Sequence, residues 1–336
     1  MNKGGRVCFS FPAGTLDLAE LAPRHTLARS GLSGTTVALR LGARQWPEWI
    51  GRLGAVVLHV RNAWAMGAAS LPRAEFLPVP GSREWVEAHT GCVAGDMIRW
   101  RAQAFVEPWG PQEVGGVAFI DEDACERLRL YLSQISDLEA FDEMIASQNM
   151  EGALRAWQPY PSATQPAVQL KPSAFDVLRA WEGLGKHLDS DGHHGWPGVS
   201  RRAWLAAAGP ANARPQPPAS LLRLLCACAK HQAPLTLLPH VPDTHAPITL
   251  HPQRIERCAC GVHIFGRSAQ YKLCTLEKME LWLALYPNGA AGGRFVWHAF
   301  DPEGRLAWTL KPAETAETNA DGAWNRLCEE IWEGES

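Results

Sequence analysis

The same order of secondary-structure elements occurs twice in this chain of 336 residues, at an offset of about 180 residues. In the first half, residues 46–53 have the pattern of a short helix and residues 55–60 that of a β-branched strand. In the second half, residues 219–230 predict a helix, Pro234 ends it, and residues 235–238 predict the strand. A duplication constrains the fold strongly, because each copy must build its core from the same elements in the same order.

A strand, a polar turn and a second strand follow in each half. In the first half, residues 117–120 predict the first strand and residues 121–123 the turn. Apolar residues then alternate with polar ones at Leu128, Leu130 and Leu132, which is the period of a half-buried strand. The corresponding features of the second half are the strand 295–300, the turn 301–304 and the alternating residues Leu306, Trp308 and Leu310. Such hairpins predict antiparallel sheets.

Each half then ends in an amphipathic helix. The apolar residues that mark these helices share the spacing i, i+3, i+7, and they are Leu138, Phe141 and Ile145 in the first half and Trp324, Leu327 and Ile331 in the second. Helices grouped around antiparallel hairpins, without alternating β-α-β units, predict the α+β class. We therefore expect two tandem, structurally similar repeats, each a large antiparallel β-sheet with flanking helices.

A proline-rich stretch marks the boundary between the two halves. Residues 158–173 contain four prolines and few charged residues, which is typical of a connector. The sequence thus predicts a first repeat over residues 1–157 and a second over residues 174–336. The alternative is a single large sheet whose hairpins resemble one another by chance, and the shared order of elements favours the duplication.

Charge and cysteine content narrow the classes of function. The formal net charge is −3, and lysine and arginine are spread singly, so neither nucleic acid nor an anionic membrane surface is an expected partner. No uncharged apolar run reaches the roughly 18 residues of a spanning helix. The nine cysteines are an odd number scattered through the chain, which favours reduced thiols and a cytoplasmic location.

Segments spread along nearly the whole chain are similar to those of a known family. The matching segments are 16–22, 37–40, Trp46-Pro47, Arg61-Asn62, Trp100-Arg101, 104–107, 119–121, 130–132, 260–266, Trp282 and Pro287. Together they resemble the HemS/ChuX-type haemin-degrading (haem-utilisation) proteins, with Ala63 in place of a glutamate of that family. Most are packing and turn residues, so they indicate fold more than chemistry.

The resemblance implies a fold, a ligand and a range of functions. HemS-type proteins are tandem α+β repeats, and the resemblance implies cytoplasmic haem binding and transfer, or haem degradation, with haem as the cofactor. A homodimer is compatible with it. The alternative is a diverged, non-catalytic relative that has lost haem and acts as an interaction or small-molecule-binding protein.

Other residues stand at four positions where the family contacts haem. The ligating histidine of the family falls at Pro172, and an arginine of its first half falls near Ala94. An Arg-Lys pair falls on Leu285-Tyr286, and a tyrosine falls near Lys311. Haem needs an axial donor for its iron and cations for its propionates, so these replacements weigh against catalysis and leave enzyme activity open. The resemblance along the whole chain keeps haem utilisation as the leading interpretation.

A polar loop after the expected ligand helix contains His187, His193 and His194, with Asp189 and Asp191 between them. Imidazole is the ordinary proximal donor to haem iron, so the three histidines are the candidate cofactor-binding residues. Imidazole and carboxylate together would also suit a divalent metal ion. The alternative is that they are solvated loop residues, as exposed histidines usually are.

Two Cys-Ala-Cys triplets lie at 226–228 and 258–260. Their spacing fits neither the ligand pairs of a structural zinc site nor a redox Cys-x-x-Cys motif, so the sequence favours thiols of the core. His263 lies on a predicted strand and is interpreted as an ordinary strand residue. A glycine-rich phosphate loop, a nucleophile elbow and a His-Glu-x-x-His motif are absent, which leaves common hydrolase and nucleotide-binding classes without support.

Overall fold

The structure is a computed structural model of the chain. It describes residues 36–41, 45–78, 85–87, 93–94, 100–109, 112–122, 125–148, 176–177, 181, 200–241, 244–287, 293–313 and 319–334. The predicted connector, residues 158–173, lies outside these ranges, and the predicted limits of the two repeats remain predictions.

The elements are numbered here in chain order. The strands are β1 (Thr36–Leu39), β2 (Gly54–Arg61), β3 (Ala65–Leu71), β4 (Phe76–Pro78), β5 (Trp85–Glu87), β6 (Val93–Ala94), β7 (Arg101–Trp109), β8 (Gln112–Ile120), β9 (Glu126–Ser136), β10 (Ala213–Gln216), β11 (Leu235–Pro239), β12 (Thr244–His245), β13 (Ile248–Leu250), β14 (Arg254–Cys258), β15 (Gly261–Phe265), β16 (Ala269–Cys274), β17 (Glu280–Pro287), β18 (Gly293–Phe300) and β19 (Leu306–Pro312). The helices are α1 (Trp46–Leu53), α2 (Leu138–Gln148), α3 (Arg201–Ala208), α4 (Pro218–His231) and α5 (Asn319–Glu333), with a 3-10 turn at Leu276–Lys278.

The chain divides into two compact units. The first contains the described residues up to position 148, together with 241, 244–248 and 268–270, and the second contains the others. In the first unit, strands follow the order β1-β7-β8-β9-β2-β3 across the main sheet, and each neighbouring pair is antiparallel. A smaller sheet in the same unit has the order β12-β6-β5-β4.

The main sheet of the second unit repeats this arrangement. Its strand order is β10-β17-β18-β19-β11-β13, so β17, β18, β19 and β11 correspond in turn to β7, β8, β9 and β2. Helices α1 and α4 precede β2 and β11, and helices α2 and α5 follow β9 and β19. The order of elements and the order of strands both match, which confirms the predicted α+β class and the tandem repeat.

Local sequence signals explain where the helices begin and end. Helix α1 has a proline in its first turn and ends at Gly54, whose φ of 70° suits a residue without a Cβ atom. Helix α3 begins after Ser200, whose side-chain oxygen accepts a hydrogen bond from the backbone N–H of Ala203 at 3.2 Å. Among the described residues, none of the helices combines the length and apolar character that a bilayer-spanning segment requires.

Helices pack on the main sheet of each unit, and in the second unit α3 covers one face, with Trp204 and Leu205 against Val296 and Phe300. Leu58 of β2, Leu130 of β9 and Phe141 of α2 belong to one core in the first unit. Trp297 of β18 and Trp324 of α5 are completely buried in the second. Because side chains alternate along a strand, the same strands direct every second residue to the opposite face.

We expect Phe141→Ala to lower the free energy of unfolding by about 3–5 kcal/mol, because a completely buried aromatic ring is lost and a cavity remains. Urea denaturation followed by tryptophan fluorescence measures this change. Ile135→Ala is the control: this side chain is 77% exposed, and its removal should change stability by no more than about 0.5 kcal/mol. Equal losses for the two variants would contradict the assignment of this core.

Candidate functional site

The three candidate haem-binding histidines, His187, His193 and His194, lie outside the part of the chain that the structure describes. Pro172 and the side chain of Ala94 lie outside it as well. The residues on either side of the histidine segment are described, however, and they lie in the second unit.

A chain of hydrogen bonds runs along the face of the second sheet that packs on α3, among apolar residues such as Trp282 and Phe300. The Tyr286 hydroxyl lies 2.8 Å from Nε2 of His298, and Nδ1 of His298 lies 3.3 Å from Oγ1 of Thr309. The same Oγ1 lies 2.9 Å from Nε2 of His240. Arg201, at the start of α3, also hydrogen-bonds to Tyr286. We call these five residues the Tyr286 cluster.

The Tyr286 cluster holds His298 and Tyr286 in their neutral forms. Burial lowers the pKa of His298 well below its ordinary value, and the positive charge of Arg201 lowers it further. Burial raises the pKa of Tyr286, although Arg201 opposes that change. At neutral pH, His298 and Tyr286 are therefore uncharged and lie beside the guanidinium group of Arg201.

Two tryptophan rings pack against the ring of Tyr286. The ring of Trp181 stacks on that of Tyr286 at a centroid distance of 4.6 Å, and Trp204 of α3 lies 4.5 Å from Trp181. The indole N–H of Trp181 donates a hydrogen bond to the carbonyl oxygen of Leu285 at 3.1 Å. Residues 181 and 201, on either side of the histidine segment 182–199, are therefore both anchored at Tyr286.

Two arginines flank this anchor. Arg294 stands directly opposite Tyr286 in the pairing of β17 with β18 and is buried, and Arg201 bonds to the Tyr286 hydroxyl. Sequence reasoning identified neither, because each is a single basic residue outside any motif. The only signal was the pairing register of the hairpin, which could have placed Arg294 beside the Leu285-Tyr286 position where the family carries cations.

The corresponding face of the first unit contains a buried ion network. Arg61 donates to both carboxylate oxygens of Glu126, at 3.1 and 3.3 Å, and Arg129 donates to Glu126 at 2.6 Å and to the Tyr131 hydroxyl at 2.8 Å. His59 lies 3.9 Å from Glu126. We call these residues the Glu126 network, and its contacts are those of a structural element that joins β2 to β9.

The charges of the Glu126 network compensate one another. Burial alone raises the pKa of Glu126, but the guanidinium groups of Arg129 and Arg61 outweigh it and lower the pKa from 4.5 to about 2. Burial and the charge of Arg61 lower the pKa of His59 well below its ordinary value, so this ring is neutral at pH 7.

The Arg61-Asn62 motif, which supports the family resemblance, also has a structural role. Besides the contribution of Arg61 to the Glu126 network, the side-chain oxygen of Asn62 accepts hydrogen bonds from the backbone N–H groups of Trp64 and Ala65, each at 2.9 Å. Asn62 thereby holds the turn between β2 and β3.

The core-thiol prediction is confirmed for only part of the two Cys-Ala-Cys triplets. Cys228 is buried, and burial raises its pKa to about 12, whereas Cys226 is exposed on the other side of α4. The prediction is wrong for Cys258 and Cys260, which are only partly buried because they flank a tight hairpin turn. His263 lies on β15, as predicted.

Sequence comparisons and structure comparisons give different results. No protein-family model and no curated protein sequence matches the chain. Among solved structures, holo-PhuS, a haem-binding protein from Pseudomonas aeruginosa, is 19% identical with a TM-score of 0.70, over 92% of this chain and 90% of that one. ChuS, a haem oxygenase from Escherichia coli, is 13% identical with a TM-score of 0.70, over 92% and 91%.

The chain has the fold of PhuS and ChuS. The likeness extends over nine-tenths of each protein, so both repeats are included in it. It confirms, at the level of fold, the resemblance that the sequence segments indicated. At these identities the PhuS/ChuS fold carries no information about individual ligands, which depend on the side chains.

We expect Glu126→Gln to lower the free energy of unfolding at pH 7 by about 3–5 kcal/mol, because it leaves two buried arginines without a counter-charge. Folding lowers the pKa of Glu126, so its carboxylate stabilises the folded state above pH 4.5 and this contribution falls away as the pH decreases toward 2. The difference between variant and wild type should therefore shrink over that range in urea denaturation.

Glu143→Gln is the matched control for Glu126→Gln. Glu143 is paired with Arg52, but both side chains are exposed, so the change should leave stability nearly unaltered at every pH. A loss as large as that of Glu126→Gln would show that burial does not govern these pairs.

We expect Tyr286→Phe to lower the free energy of unfolding by about 1–3 kcal/mol, because the aromatic stack remains but His298 and Arg201 lose a buried partner. Tyr286→Leu should lower it further, since the contact with Trp181 is lost as well. Thermal and urea denaturation measure both changes. A Phe variant as stable as wild type would mean that the hydroxyl group contributes nothing to the cluster.

Proposed function

We propose that this protein binds haem and takes part in haem utilisation, as a carrier or as a haem-degrading enzyme. The whole-length likeness to PhuS, a haem-binding protein, and to ChuS, a haem oxygenase, supports this proposal. The observation that carries it is the anchoring of the histidine segment 182–199 at both ends beside Arg201 and Arg294.

Haem recognition needs an axial donor for the iron and cations for the propionates. Arg201 and Arg294 supply the cations: both lie at Tyr286, on one face of one sheet. Arg201 is only partly buried, so its guanidinium group is accessible to a carboxylate. The arginine fork binds carboxylates in a bidentate manner, which suits a propionate group.

The axial donor in this proposal is one of His187, His193 and His194. Both ring nitrogens of His298 already take part in hydrogen bonds, so this histidine is poorly suited to bind iron. His194 lies six residues before Ser200 in the chain. An extended chain covers roughly 3.5 Å per residue, so the Cα atom of His194 lies at most about 20 Å from that of Ser200. When bound, haem supplies the iron centre, and the chain binds and orients it.

Titration of the purified chain with haemin, followed in the Soret region, tests the proposal. We expect saturation at one haem per chain for the wild type. His187, His193 and His194 are replaced by alanine one at a time. The variant that lacks the ligating histidine should have a shifted Soret band and bind haemin at least about tenfold more weakly. Arg201→Gln should weaken binding by about tenfold or more without shifting the band, because it removes a charge-assisted hydrogen bond.

His231→Ala is the control for these variants, because His231 is an exposed histidine at the end of α4. It should bind haemin as the wild type does. Unsaturable adsorption without a defined ligand band, unchanged in all three histidine variants, would overturn the proposal and favour a non-catalytic relative that has lost haem. For a chain that binds haem, added reductant and oxygen then separate a carrier from an enzyme.

A further inference from the structure

We propose that Cys258, Cys260 and His263 form a binding site for a thiophilic metal ion, Zn(II) or Cu(I), independent of haem. The three residues lie at the turn of the β14–β15 hairpin in the second unit. Nothing in the haem proposal uses them.

The hairpin brings three donor atoms together. Cys258 ends β14 and pairs with Gly261, the first residue of β15, so Cys260 occupies the turn between them. The two sulfur atoms are 3.0 Å apart, and both lie within 4.8 Å of a ring nitrogen of His263. Small shifts of these side chains would bring all three atoms to bonding distance of one ion.

The imidazole of His263 is a buried polar group. The residue is 4% exposed, and among the residues that the structure describes its Nε2 atom has no hydrogen-bond partner. This nitrogen lies near the two sulfur atoms, where a metal ion would give it a partner.

A buried cation supports the thiolate form of the pair. Lys272 is 1% exposed and hydrogen-bonds to the sulfur of Cys260. A metal ion would bind this thiolate and displace the proton of Cys258, which leaves to solvent as the second metal–sulfur bond forms.

The backbone of the turn is rigid. Gly261 has a φ of 143°, and a Cβ atom there would lie 1.9 Å from the carbonyl oxygen of Leu273. The backbone N–H of Thr275 donates to the carbonyl oxygen of Cys260 at 3.0 Å. The close approach to β16 fixes the positions of both cysteines before an ion arrives, which lowers the entropic cost of binding.

The donor set selects the class of ion. Two thiolates and an imidazole suit Zn(II) and Cu(I), whereas Mg(II) and Ca(II) prefer oxygen ligands. The adjoining ammonium group of Lys272 balances the negative charge of a Cu(I) dithiolate, and Zn(II) would complete its coordination with a water molecule.

Metal titration of the reduced, haem-free chain tests the site. Competition with a chromophoric chelator measures Zn(II) and Cu(I) affinity, and Co(II) serves as a spectroscopic probe because thiolate ligands give it an intense charge-transfer band. We expect one equivalent of metal per chain and a Co(II) band for the wild type. Cys258→Ser, Cys260→Ser and His263→Gln should each lower the affinity at least about tenfold, and the two serine variants should weaken the band.

Cys226→Ser is the matched control, because it removes an exposed cysteine from α4, away from the hairpin. It should bind metal as the wild type does. Circular dichroism establishes that each variant is folded. A folded wild type that binds neither ion, or serine variants that bind as tightly as wild type, would overturn the proposal, as would a Cys258–Cys260 disulfide that resists reduction by excess thiol.

Discussion

The alternation of side chains along antiparallel strands is the constraint on which the rest of this structure depends. In each unit, one face of the main sheet carries an apolar core, which includes Leu130 in the first unit and Trp297 in the second. Every intervening residue is directed to the opposite face. Arg129, Tyr286 and His298 lie on that opposite face, which in the second unit also carries the apolar residues that pack on α3. The register shift at Phe119 and Ile120 lets Glu126 join Arg129 on this face.

The two repeats use this face differently. In the first, β2 and β9 place His59 opposite Arg129, and the charges are compensated by Glu126. In the second, the equivalent strands β11 and β19 place Leu238 opposite Thr309, and His298 and Tyr286 are neutral. The charged groups of the Glu126 network pair with one another, whereas the Tyr286 cluster lies beside Arg294 and next to both ends of the histidine segment.

The two proposals concern different donors of the second unit. The haem proposal uses the histidine segment with Arg201 and Arg294 for a large, flat, anionic ligand, and the metal proposal uses the hairpin thiols with His263 for a small soft cation. The sites differ in how they are held in place. Stacked aromatic rings anchor the first at Trp181 and Trp204, while backbone contacts around Gly261 and Thr275 hold the second.

Local pattern in the sequence determined the elements: it predicted α1 over its full length, both hairpins, the closing helices and the duplication, because periodicity and turn residues act over a few positions. Only the tertiary structure decided which distant residues meet. Arg61 and Glu126 form an ion pair although they are 65 positions apart in the chain. Arg294 lies opposite Tyr286 because of the register in which β17 and β18 pair. The β14–β15 hairpin places Cys258 and Cys260 near His263. Such contacts depend on how strands pair, and no local signal specifies that pairing.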